Sequence, residues 1–260
     1  MNNPNDLLSD LEKSFPERYR EYYAIKRQNF FAGVTQFPEL WACYMRLDDI
    51  FTDEFDDLRI GLNPRKAIPL MLFAHAHAQF RIVLELAFTG CFCEAFNIAR
   101  MAIESAYQAR KILAEPQLIS VWLRKDRDKK SSQEFDEKFD FNKRKNYAAL
   151  GLAKLHTYWG RFSLWSHPSV TALNQRFKPE GVMYFETNPR TLGLSLFDLL
   201  WVSYKIENAL FDGFETRLKF DTKLEKKRKQ FAEFADKVRL ALIKKFKLQP
   251  PATPPGFPYA

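Results

Sequence analysis

Apolar residues recur every three or four positions through most of this chain, which is the spacing of an amphipathic α-helix. The pattern predicts seven main helices, over residues 17–32, 38–58, 65–89, 91–114, 133–158, 190–218 and 221–247. The segment 65–89 is apolar on nearly all sides, so we expect it at the centre of the fold. Gly90 follows it directly and is a favourable helix terminator, so 65–89 and 91–114 should form an antiparallel hairpin.

The fold class predicted is all-α, an up-and-down helical bundle with additional packed helices. Glycine is scarce, with 9 copies in 260 residues, and this favours long helices over a sheet with many tight turns. We predict a single helical domain over residues 1–248, with a charged loop at about 124–134, and a Pro-rich flexible tail at 249–260. Four helices should form the bundle core: 65–89, 91–114, 133–158 and 190–218.

The composition of the chain indicates which cellular compartment and which kinds of binding site to expect. Apolar residues make up 46% of the chain, which argues against disorder. Three cysteines are too few for a disulfide framework, and the polar start of the chain does not resemble a secretory signal, so we expect a cytoplasmic protein. We expect no transmembrane segment, because the apolar runs are short and interrupted by polar residues. We also expect no metal and no cofactor, since the sequence contains no phosphate loop, dinucleotide fingerprint or metallo-hydrolase motif.

The positive charge is concentrated near the end of the chain. The formal net charge is +8, and residues 221–247 hold ten Lys or Arg against four Asp or Glu. A helix with a cationic face and an apolar back suits RNA, an acidic partner or an anionic membrane surface. The alternative is a solvated outer helix with no partner.

Two polar clusters are candidates for chemistry. In the first, His77 and Arg81 share one helix face, as do Arg100 and Glu104, because residues four apart are neighbours on a helix. Hairpin symmetry about Gly90 would set His77 beside Glu104 and Arg81 beside Arg100. Such a cluster is either a polar pocket that tunes proton affinity or a structural ion network that fixes helix register.

The second cluster lies in the sequence GRFSLWSHPS and the residues before it, which we expect to form a compact corner between Gly160 and Pro168. Histidine suits acid–base chemistry near neutral pH, and the following proline restricts its backbone. The alternative is that the histidine and serines cap a helix. Six polar side chains crowd twelve residues: Tyr158, Arg161, Ser163, Ser166, His167 and Ser169.

These two clusters also carry a resemblance to known families. EAFNIARMAIESAYQARKIL at 94–113 is similar to the Arg-x-x-x-Glu helix of several uncharacterised bacterial all-helical families, in which a later Tyr/Ser and His-Pro-Ser corner recurs. Tyr158, Ser163 and His167 stand at that corner here. The spacing Arg161-x5-His167 resembles the Arg-x(4–6)-His pattern of HEPN-like domains, which are helical bundles, often dimeric, found in RNA-cleaving toxins and phage-defence proteins.

The resemblance implies a metal-independent ribonuclease. Arg161 would contact the scissile phosphate, His167 would act as acid or base, and the 2′-hydroxyl of the RNA would be the nucleophile. Arg100 and Glu104 would orient them. The sequence departs from the pattern at Phe162, where a polar residue is usual, and at the proline after His167.

Two main function hypotheses follow from these residues, and a third is weaker. The first is a cytoplasmic HEPN-like protein that binds or cleaves RNA in a defence or toxin system, and it requires Arg100, Glu104, Arg161 and His167 to converge on one open cleft. The second is a non-catalytic homodimeric interaction protein whose charge clusters are structural. The third is a bundle that encloses a small ligand, which needs a cavity of several hundred cubic ångströms.

Overall fold

The structure is a computed structural model that describes residues 15–60, 63–166, 185–218 and 221–248. Within these ranges the chain forms helices that pack against one another and no strand, which confirms the predicted all-α bundle. In chain order the helices are α1 Glu17–Gln36, α2 Pro38–Arg59, α3 Pro64–Thr89, α4 Phe92–Ala114, α5 Leu118–Arg124, α6 Lys129–Phe139, α7 Arg144–Ala149, α8 Ala153–Ser166, α9 Pro189–Leu218 and α10 Thr222–Phe246.

The hairpin at the centre of the fold turns at Gly90, as predicted. Gly90 has φ +88°, its N–H donates to the Ala87 carbonyl at 3.0 Å, and the next N–H, of Cys91, donates to the Leu86 carbonyl at 2.8 Å. This is the hydrogen-bond pattern of a Schellman cap. A Cβ at this position would lie 2.6 Å from the Glu186 carbonyl oxygen, so both the backbone angle and the available space require glycine.

The long helix α9 holds the other elements together. It packs against α2, α3, α4, α8 and α10, and its buried face includes Leu199, Val202 and Ile206, each fully shielded from solvent. On the outside, α10 packs on α2, and α1 packs on α3. A Cβ at Gly33 of α1 would lie 2.4 Å from the Phe88 carbonyl oxygen, so this glycine lets α1 approach the backbone of α3 closely.

Residues 124–158 differ from the prediction. The charged loop expected at about 124–134 is wrong from Lys129 onward, because Asp128 caps α6 by accepting a hydrogen bond from the Ser131 N–H at 2.8 Å. The single helix expected at 133–158 is also wrong, since the chain turns at Asp140 (φ +39°) and Gly151 (φ +75°). These turns let α6 and α7 bury their aromatic side chains, and α8 takes the place of the expected helix against α4.

Part of α3, Arg65–Thr89, is long and apolar enough by length and composition to cross a membrane, and half of its most apolar stretch is buried inside the bundle. Core helices of soluble proteins have the same properties, so the expected absence of a transmembrane segment stays a prediction. The Pro-rich tail predicted at 249–260 lies outside the described residues.

Candidate functional site

The polar residues from Tyr158 onward lie on a helix. We expected a compact corner between Gly160 and Pro168, but α8 continues through Gly160 to Ser166. The candidate acid or base His167 lies outside the described residues. In a helix, residues two apart project about 200° from each other. Trp159 and Arg161 therefore face opposite sides of α8, one towards α4 and the other towards α9.

Arg161 is held on the α9 side by Asp198. Its Nη2 lies 3.0 Å from Asp198 Oδ2, the Tyr158 hydroxyl donates to Oδ1 at 3.3 Å, and the guanidinium lies 5.4 Å from the Tyr158 ring centroid. Burial raises the pKa of Asp198, and the charge and hydrogen bonds of its two partners oppose that rise. The Arg161 side chain is still 58% exposed, so it is fixed in direction yet reachable by an anion from solvent.

Arg100 and Glu104 contact the opposite side of α8. Arg100 Nη2 lies 3.0 Å from Glu104 Oε1, the Trp159 indole N–H donates to the same oxygen at 2.8 Å, and the Arg100 guanidinium lies 5.3 Å from the Trp159 ring centroid. Burial, and then the Glu104 charge, raises the pKa of the neighbouring Tyr147. Arg100 and Glu104 thus lie on one side of α8 and Arg161 on the other, so these three residues do not converge as the ribonuclease hypothesis expects.

Ser163 makes a local contact within α8. Its hydroxyl donates to the Trp159 carbonyl at 2.8 Å, which is the hydrogen bond that a serine commonly makes to the preceding turn of its own helix. This bond is not a contact with Arg161.

His77 and Arg81 have a partner that hairpin symmetry did not indicate. His77 Nε2 lies 2.6 Å from Asp48 Oδ1 in α2, and Arg81 donates to the two Asp48 oxygens at 2.8 and 3.0 Å. The His77 ring stacks on Phe51, with centroids 4.5 Å apart. Burial raises the pKa of Asp48, but hydrogen bonds from His77 and Arg81 outweigh it and hold that pKa well below its usual range. The cluster is an ion network that joins α2 to α3.

A second ionic centre, absent from the sequence expectations, is fully buried. Glu54 of α2, Glu207 of α9 and Arg228 of α10 are 0%, 0% and 2% exposed. Arg228 Nη1 lies 3.4 Å from Glu54 Oε1 and 3.2 Å from Glu207 Oε1, and its Nη2 donates to Asn208 Oδ1 at 3.1 Å. The signal was present in the sequence, because each residue interrupts an apolar helical stripe, as Arg228 does between Leu224 and the phenylalanine three residues later.

Three of the ten cations at 221–247, of which nine lie in α10 and Lys247 follows it, pair with acidic side chains of the fold. Lys227 pairs with Asp53, Arg228 enters the buried centre, and Arg239 pairs with Asp236 at 2.7 Å. The other seven are exposed and keep the outer face of α10 cationic: Lys223, Lys226, Lys229, Lys237, Lys244, Lys245 and Lys247.

A groove between α2 and α10 runs beside this face. It contains two adjoining cavities of about 470 and 490 Å³, which share Phe234 and Lys237 as lining residues. The exposed Arg46 lies with its guanidinium 4.1 Å from the Phe234 ring centroid in the first cavity. In the second, Lys245 Nζ lies 4.7 Å from the centroid of Phe37. The α2–α10 groove therefore combines lysine ammonium groups and carboxylates with a planar cation that lies against an aromatic ring.

In the described part of the chain, no group of three or more His, Cys, Asp or Glu side chains is placed to hold a metal ion. The chain matches no protein-family model, and the curated proteins and solved structures compared with it show no significant similarity.

Proposed function

We propose that this protein binds single-stranded RNA in the α2–α10 groove. The observation that carries the proposal is Arg46, an exposed guanidinium supported by the Phe234 ring. Three lysines and three carboxylates also line the groove: Lys227, Lys237, Lys245, Glu39, Asp49 and Glu233. Single-stranded RNA is bound by positive grooves that follow its backbone, and its unstacked bases stack on aromatic rings or on arginine planes. Binding of an acidic protein partner would need the positive charges of the groove but not the flat guanidinium group of Arg46.

The binding test is fluorescence anisotropy of a labelled single-stranded RNA with Arg46→Lys, which keeps the charge and removes the plane. Stacking contributes about 1–3 kcal/mol per base, so we expect binding to weaken by about tenfold. The variant Lys130→Gln/Lys138→Gln on α6 tests whether total charge alone matters, since both lysines are exposed. If Arg46→Lys binds as tightly as the wild type, the groove is not the RNA site.

We further propose, from the HEPN resemblance, that Arg161 and His167 cleave the bound RNA. The exposed and oriented Arg161 supports this role.

Cleavage is tested separately from binding. With a chelator present, we expect the wild type to cut labelled RNA, and His167→Ala to abolish cutting while RNA binding and the melting temperature stay nearly unchanged. Arg161→Lys keeps the positive charge but loses bidentate hydrogen bonding to phosphate, so it should retain only a small part of the RNA-cleaving activity. RNA binding without any cleavage would reject the catalytic role and leave the binding proposal in place.

The alternative function, a homodimeric interaction protein, is favoured by the outer face of α1. Tyr19, Tyr23 and Phe31 of α1 are 51%, 57% and 56% exposed, and Phe15, just before α1, is 50% exposed. Clusters of exposed aromatic residues are typical of interaction surfaces. Light scattering coupled to size exclusion tests this. A dimer in the wild type that Tyr19→Ser/Tyr23→Ser converts to a monomer would support the alternative, and a monomeric wild type would reject it.

A further inference from the structure

We propose that the cavity between the start of α8 and the middle of α9 binds a small molecule through its phosphate group. The cavity has a volume of about 500 Å³ and is lined by the turn and first residues of α8, Gly151–Leu155, and by four residues of α9 that include Lys205 and Asp212. Its size falls in the range of small-ligand sites. It lies on other helices than the α2–α10 groove, so the inference does not depend on RNA binding.

Two lysines from different helices converge on this cavity. Lys205 Nζ lies 4.4 Å and Lys154 Nζ 5.8 Å from the centroid of the same Trp201 ring. Neither lysine forms an ion pair with a carboxylate anywhere in the described ranges. The indole ring attracts both ammonium groups. It does not neutralise them, and the half-buried Lys205 is repelled by the charge of the exposed Lys154 unless an anion is bound between them.

The pKa of Lys205 reflects the positive charges that no nearby carboxylate fully neutralises. Burial lowers its pKa, and the charge of Lys154 lowers it further, while the charges of Asp212 and Glu207 act in the opposite direction. Asp212 compensates only part of the two positive charges, because it also interacts with Arg110. Ligand binding would therefore relieve repulsion already present in the free protein.

A phosphate monoester suits this pair better than a carboxylate does. It carries close to two negative charges at neutral pH and offers three acceptor oxygens, so it can bind both ammonium groups at once. Asn208 in the cavity wall is already engaged, since its amide donates to the Tyr204 carbonyl at 2.7 Å and its oxygen accepts from Arg228 at 3.1 Å. The exposed Asp212 carboxylate can also accept a hydrogen bond from a hydroxyl or amine on the rest of the ligand, beside its interaction with Arg110.

The test measures lysine acetylation by mass spectrometry on the full chain, with a limiting acylating reagent and with inorganic phosphate as the probe. Reactivity should fall by a factor of 1 + [phosphate]/Kd at Lys154 and Lys205, which is about tenfold when phosphate is at about nine times its Kd. The exposed Lys130 and Lys138 of α6 serve as internal references and should be unaffected. Sodium chloride at matched ionic strength should protect none of them.

Variants separate a built site from general screening. In Lys154→Gln, we expect phosphate to lose its protection of Lys205, and the unprotected Lys205 to react more slowly because its pKa rises once the neighbouring charge is removed. Equal protection of all four lysines by phosphate, or protection of none of them, would overturn the proposal. Equal protection by acetate and phosphate would overturn the assignment of the phosphate group.

Discussion

Replacing Arg228 with methionine should destabilise the protein more than any other single change to a charged side chain in the described helices. Arg228 is the only cation that contacts the buried carboxyl groups of Glu54 and Glu207 in that part of the chain, and it is 2% exposed. Removing one partner of a buried ionic cluster typically costs about 3–5 kcal/mol, because a charge remains buried without compensation. The free energy of unfolding of an ordinary domain is about 5–15 kcal/mol, so a loss of this size is easily measured.

The pH dependence of this effect has a definite sign. Burial, and then the nearby Glu207 charge, raises the pKa of Glu54 well above its usual value. A carboxyl group with a raised pKa binds its proton more tightly in the folded state, so its stabilising contribution is present at acid pH and is lost as the pH rises through the folded-state pKa. In Arg228→Met both carboxyl groups can take up protons, so the variant should come closest to wild-type stability near pH 5 and differ most near pH 8.

The assay is urea unfolding followed by circular dichroism at several pH values, with Lys226→Met as the matched control. Lys226 lies on the exposed face of the same helix, so its replacement should change the unfolding free energy by less than about 0.5 kcal/mol. Glu54→Gln imitates the protonated carboxyl and should flatten the decline in stability from pH 5 to pH 8. A free energy for Arg228→Met that matches the control at pH 8 would refute the account of the buried centre.

Two further predictions concern stability. Asp48→Asn should cost about 2 kcal/mol at neutral pH, since Asp48 accepts hydrogen bonds from the charged Arg81 and from His77. Because the folded-state pKa of Asp48 is lowered, this contribution is lost as the pH falls below about 4, so acid unfolding curves of variant and wild type should converge there. Gly33→Ala should destabilise by about 1–3 kcal/mol in thermal unfolding, because the new Cβ would strike the backbone of Phe88. Gly160→Ala is the matched control, where no atom lies within 4 Å, and should stabilise by about 0.5–1 kcal/mol; the same sign for both glycines would contradict the close approach of α1 and α3.

The sequence predicted those features that depend on neighbours along the chain. The hairpin at Gly90 follows from one helix terminator between two apolar segments, and the Arg100–Glu104 pair follows from four-residue spacing. The pairing of Asp48 with His77 and Arg81 could not be predicted, because it depends on which face of α3 receives α2. Hairpin symmetry considered only α3 and α4 and so suggested Glu104 as the partner of His77.

Two other differences have local causes. The polarity of the charged stretch after residue 124 predicts a loop, although Asp128 is a helix cap and Phe135 and Phe139 are spaced to lie on one buried helix face. The buried ionic centre was missed because Glu54 lies in an acidic run and Arg228 in a basic one. Each was counted with its exposed neighbours, whereas its position in the apolar stripe indicated burial.

The most direct test of RNA binding in the α2–α10 groove is the dependence of the RNA dissociation constant on salt, compared between the wild type and Lys237→Gln/Lys245→Gln. Each phosphate contact with a single strand contributes about 0.7 to the slope of log affinity against log salt, so losing two contacts should reduce its magnitude by about 1.4. Lys130→Gln/Lys138→Gln, which removes the same charge from α6, should keep the wild-type slope. Equal slopes for the two double variants would contradict the proposed RNA site.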